Sequence, residues 1–270
     1  MDRSHLQIKA YIAKTFHLAL TNVVATVLDL LWHDDMLNID GKGVGLLNDF
    51  LTFTKNSPVD HWIGNLTKDE GKGSAKLQLA LHIPLLHAGD SKVNDVLQFL
   101  NNDMILQKII PPLQSVSGKL EFNQKGFNLE GIIGHLLGGP VQVSGGTQSN
   151  SQSNIKIDGS ATLGSIRAAY LISNAHSILK HARGSIRYNA TLTIRDNQTK
   201  LLINSSLRGI ALNFLTPLRE AANEILPLKF EWVGVLSDDP LLLRNEIRMS
   251  LGTVLTAGSQ RQKSIEKSAE

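Results

Sequence analysis

The sequence predicts a mainly β fold with a few helices, built on an elongated, mostly antiparallel sheet. Three observations predict it. Apolar and mixed positions alternate over residues 75–83, the same two-residue period returns after Gly118, and the segments that carry it follow one another through turns. The regular strand and helix alternation of a parallel, doubly wound sheet is missing from this pattern.

Taken in chain order, Ile12, Phe16, Leu20, Val23, Val24, Val27, Leu30 and Leu31 recur at spacings of three and four and predict a helix over about 12–31. Lys14 is its one Lys or Arg between Ile12 and Trp32, so the stripe reads as packed against protein more readily than as laid on an anionic membrane surface. Gly41, Gly43 and Gly45 predict a turn, Leu46 to Phe53 is a short, partly apolar stretch, and Ser57-Pro58 marks a break. Ala75, Leu77, Leu79, Leu81 and Ile83 then alternate with Lys76, Gln78, Ala80 and His82, which predicts a strand with one apolar face. Leu120 and Phe122 are followed by Phe127 and Leu129 across the turn residues 123–126, the pattern of an antiparallel hairpin. Val141 and Val143 are separated from Ile155 and Ile157 by the polar tract 144–154, which reads as a hairpin tip in preference to an interdomain hinge. Leu163 to Lys180, with its alanines, predicts the second helix. Strands are expected again at 185–194, 200–207, 229–235 and 243–251, and the polar residues 258–270 are expected to form a flexible tail.

Composition narrows the function classes. Lysines and arginines exceed acids by only 27 to 24, and the signs are interspersed, so the charge balance describes a mixed surface and no cationic face for nucleic acid. No cysteine is present, which removes disulfides, thiolate metal sites and a cysteine nucleophile. The first thirty residues are interrupted by Lys14, His17, Asn22 and Asp29, which fits neither a signal peptide nor a membrane span.

Catalytic constellations are equally sparse. Gly41-Lys42-Gly43-Val44-Gly45 lacks the spacing of a dinucleotide loop, and Gly71-Lys72-Gly73-Ser74 lacks the frame of a phosphate loop. His33-Asp34-Asp35 and the pair His176 and His181 do not supply four converging metal ligands, Asp238-Asp239 lies before a proline in a turn, and Ser185 has no nucleophile elbow. Neither a catalytic residue, a cofactor site nor a metal site is predicted, and the chain is expected not to be an enzyme.

Several glycine-bearing segments carry a family resemblance. They are Pro111-Pro112-Leu113-Gln114-Ser115-Val116-Ser117-Gly118-Lys119-Leu120-Glu121-Phe122, Gly126-Phe127 and Leu137-Gly138-Gly139-Pro140. With Ser57-Pro58-Val59, the stretch from Leu79 to Leu85 and the stretch from Asn204 to Leu212, they make residues 20–235 resemble the YhdP family of AsmA-related bacterial envelope proteins. Phe214-Leu215-Thr216-Pro217 departs from the resemblance in carrying less proline. The resemblance implies a sheet curved into a taco-like groove, of which residues 1–257 form one partial region. It also implies a periplasmic location, association with the inner membrane through a segment absent from this chain, and carriage of phospholipid toward the outer membrane.

The residues whose alternation would line such a groove are Leu77, Leu79, Leu81, Leu120, Phe122, Phe127, Leu129, Val141, Val143, Ile155 and Ile157. Their expected partners are phospholipid acyl chains. The alternative is a structural or protein-binding β module in which the same side chains form a sealed core, because periodicity defines a face and leaves open what covers it.

Overall fold

The computed structural model describes residues 19–28, 36–55, 70–87, 90–105, 111–148, 152–169, 182–195, 198–212, 226–236, 242–253 and 255–264. The chain divides into two compact units, Met1–Gly134 and His135–Glu270.

In the first unit β1 (Ala19–Leu28) lies antiparallel to β2 (Met36–Leu46), which runs into helix α1 (Leu47–Lys55). After the short β3 (Glu70–Lys72), β4 (Ser74–Pro84) pairs with β2 on one side and with β5 (Lys92–Ile105) on the other. β6 (Leu113–Asn123) and β7 (Gly126–Leu136) complete the order β1-β2-β4-β5-β6-β7, with β3 paired to the far end of β5. α1 packs on β3: Leu47 is fully buried, and a Cβ on Gly71 would stand 2.6 Å from the Leu47 Cγ, so only glycine admits the helix this closely.

In the second unit β8 (Gly139–Thr147) and β9 (Ser153–Thr162) form a hairpin, as the polar tract predicts, closed by a 2.7 Å bond from Gln148 N–H to the Gln152 carbonyl. Helix α2 (Leu163–Ala169) follows, with the Thr162 hydroxyl accepting the Ser165 N–H as an N-terminal cap. Then come β10 (Ala182–Arg195), β11 (Gln198–Ser205), β12 (Ile210–Leu212), β13 (Leu228–Leu236), β14 (Leu242–Leu251) and β15 (Leu255–Ser264). The order is β8-β9-β10-β11-β13-β14-β15, with β12 paired to the start of β10. Ala161, Leu163, Ile186 and Ile210 form a small core where β9, α2, β10 and β12 meet.

The structure corrects the expectation of a curved groove. Each strand order is linear, and within neither unit do the outermost strands pair with one another among the described residues. Within each unit the paired strands are antiparallel and the sheet is open, not closed into the curved groove that the resemblance implies. Closure requires two edges to satisfy each other's hydrogen bonds.

Other elements also depart from the sequence pattern. Ala19–Leu28 is a strand where the three-and-four spacing predicts helix; Thr21, Val23, Val24, Thr26 and Val27 are β-branched, and pairing with β2 uses that stiffness. Gly41, Gly43 and Gly45 lie within β2 and not in a turn. The predicted second helix is described only as Leu163–Ala169, with 170–180 outside the described residues. The expected tail from 258 onward belongs to β15 as far as Ser264, because backbone pairing to β14 needs no apolar side chain.

Candidate functional site

Residues directly opposite one another in an antiparallel ladder share a face, so the register assembles the apolar surface strand by strand. In the first unit Gly43, Leu77, Leu97 and Leu120 stand in one row across β2, β4, β5 and β6, and Ile39, Leu81 and Val93 stand in another. Asp95 pairs with Phe122 between these rows. Most of this face is closed: Leu77, Leu97, Leu120 and Phe122 are all under a tenth exposed.

The second unit repeats the pattern with a different outcome. Val143, Ile157, Ala190, Ile203, Phe230 and Met249 form one row across β8, β9, β10, β11, β13 and β14. Ile155, Leu192, Leu201, Trp232 and Ile247 form the row beside it. Ile155 and Ala190 are buried, but Ile203, Phe230, Met249, Leu192, Leu201, Trp232 and Ile247 are each only half-buried. Two adjacent rows of large apolar side chains thus remain partly in contact with solvent.

The opposite face of the same strands is polar. Asp158, Asn189, Asn204, Lys229 and Ser250 form a row there, and together with Arg187 they help line an open depression of about 860 Å³. Neighbouring charges pair across or along strands, Lys200 with Glu231 and Arg248 with Glu246. The Lys200 ammonium holds the Glu231 carboxyl below the usual carboxylate range. The sheet is therefore amphipathic in this unit, with one polar face and one half-open apolar face.

The eleven side chains predicted from alternation divide between the units. Leu77, Leu79, Leu81, Leu120, Phe122, Phe127 and Leu129 belong to the first; Val141, Val143, Ile155 and Ile157 belong to the second. Leu77, Leu120, Phe122, Phe127, Val141 and Ile155 are buried, whereas Leu79, Leu81, Leu129, Val143 and Ile157 are half-buried. The half-open side chains of β10 to β14 were not among them. Phe230-Glu231-Trp232 and Ile247-Arg248-Met249 carry the same alternation, so the signal was present but attached to the later strands only as secondary structure.

His33, Asp34, Asp35, His176, His181, Asp238 and Asp239 lie outside the described residues. Among the described residues, no group of three or more His, Cys, Asp or Glu side chains is placed to hold a metal ion, and no helix is long and apolar enough to cross a membrane.

In the second unit the open antiparallel sheet thus has one apolar and one polar face. The model of the YhdP protein family matches residues 1–269. The chain therefore belongs to the AsmA-related YhdP family, over nearly its whole length and beyond the 20–235 that carry the resemblance in sequence. No curated protein and no solved structure matches it.

Proposed function

We propose that this chain is a section of a bridge-like lipid-transfer protein of the bacterial envelope, in which phospholipid acyl chains pass along the apolar face of the sheet. The observation that supports the reading is the pair of half-buried apolar rows in the second unit, set in a chain of the YhdP family. A sheet face of this kind needs a cover, and at about 25 cal/mol per Å² an acyl chain laid on it recovers roughly 0.8 kcal/mol for each methylene removed from water. The face needs no catalytic group for this duty, since transfer makes and breaks no covalent bond. The location that goes with it is the periplasm, associated with the inner membrane, with phospholipid moving toward the outer membrane. In the first unit the buried Leu77, Leu120 and Phe122 serve as core, and lipid contact there is confined to half-buried side chains such as Leu79 and Leu81.

Site-specific photocrosslinking in the envelope of cells that express the intact protein tests the reading. A photoreactive phenylalanine analogue at Ile203, in the apolar row, should capture phospholipid, whereas the same group at Asn204, on the polar face of the same strand, should not. Absence of lipid adducts at Ile203, or equal capture at both positions, would overturn the proposal.

A further inference from the structure

Asp95 is a carboxylate where the ladder calls for an apolar side chain. It lies between Val93 and Leu97 on β5, pairs with Phe122 on β6, and is only 3% exposed. The β4–β5 register runs through Gln78↔Val96 and resumes at Leu81↔Val93, and in the gap the Asp95 Oδ1 accepts the Ala80 N–H at 2.9 Å. A side chain has thus taken over a place in the seam that backbone pairing holds on either side.

Among the described residues, no opposite charge shares the face of Asp95. On the face that carries Asp95, β4 presents Leu77, Leu79 and Leu81, β6 presents Leu120 and Phe122, and β2 presents Ile39, Gly41 and Gly43. Lys42, Lys76, His82, Lys92, Lys119 and Glu121 belong to the opposite face by register. β3 meets β5 at its far end, where Glu70 and Lys72 stand opposite Ile105 and Asp103.

We propose that Asp95 is a proton-operated latch in the seam between β4 and β5, whose neutral form lets the strands close and whose ionisation favours their local parting. Burial pushes the carboxyl up to about 6, against the opposing pull of the Ala80 N–H. In parted strands the group is hydrated and returns toward its ordinary value of 3.8. The advantage of the closed seam is therefore fully present below that ordinary value and is lost as pH rises through about 6. The latch rests on the burial of Asp95 and its bond to the Ala80 N–H and needs no lipid in either unit, so it stands or falls apart from lipid transfer.

Hydrogen–deuterium exchange on the intact chain provides the test, with rates corrected for the intrinsic pH dependence of amide exchange. Between pH about 5 and about 7.5 the opening equilibrium at residues 75–84 and 92–99 should rise about tenfold, while β10 to β13 serve as the internal reference and stay level. Asp95→Asn retains an oxygen for the Ala80 N–H and should abolish the pH dependence. Corrected protection that is flat with pH in the unsubstituted chain overturns the proposal without reference to any variant. So does the same tenfold rise persisting in Asp95→Asn, or a rise shared equally by β10 to β13.

Discussion

Asn102 shows how one polar side chain can fix three strands. It is fully buried, its Nδ2 donates to the Lys72 carbonyl at 2.9 Å and to the Ser74 carbonyl at 3.1 Å, and its Oδ1 accepts the Leu100 N–H at 2.7 Å. It stands where the β5–β6 register shifts, beside Asn101 at φ 60°, so the amide replaces ladder bonds that the irregularity removes. Asn102→Ala should lower unfolding free energy by about 2–4 kcal/mol, because the truncated site leaves buried backbone groups unpaired. The midpoint and slope of a urea transition followed by circular dichroism measure it; a change below about 0.5 kcal/mol contradicts this account of the bulge. Neither Asn102 nor Asp95 was legible in sequence. Polar residues at buried positions interrupt the alternation, and for that reason β5, the strand that centres the first unit, was not predicted at all.

At the scale of elements, the most legible strands were those with an uninterrupted two-residue period. β4, β6 and β7 follow Ala75 to Ile83, Leu120 to Phe122 and Phe127 to Leu129, and β10, β11, β13 and β14 fall within a few residues of their expected bounds. β1 has the spacing of a helix because eight apolar residues fit a helical repeat, and spacing alone carries no information about the partner strand that decides between the two periods. β15 is illegible for the opposite reason, since backbone pairing to β14 holds a strand that shows no apolar period. Gly118 was legible as a motif residue but not as a hinge of the β6–β7 pair. Its φ is +127°, and a Cβ there would stand 2.6 Å from the Gly131 carbonyl oxygen. Gly118→Ala should therefore destabilise the protein by about 1–3 kcal/mol through backbone strain and crowding, visible as a lower thermal midpoint. Gly164→Ala serves as a control, because no atom lies within 4 Å of its Cβ position and its φ is unstrained; a midpoint lowered as far as that of Gly118→Ala would contradict the assignment of strain to Gly118.

At the scale of the whole chain, the family is legible through motif glycines such as Gly118, Gly126 and Gly138, whose φ is positive, whereas the openness of the sheet is not, since period two defines faces and is silent about whether edges meet. The consequence for function is a face that can be interrogated from either side. Trp232 occupies the apolar row between Leu201 and Ile247, and Val233, the next residue, pairs with Lys200 and Glu246 on the polar face. In a background with Trp32 and Trp62 replaced by phenylalanine, phospholipid brominated along its acyl chains should quench Trp232 fluorescence, because bromine quenches only on near contact. Moving the indole one residue, as Trp232→Phe with Val233→Trp, carries it to the other face of the same strand and should remove most of the quenching while leaving the circular dichroism spectrum unchanged. Quenching that follows the indole to position 233 would show lipid adsorbing without regard to face, and quenching at neither position would leave the half-buried rows to a protein partner.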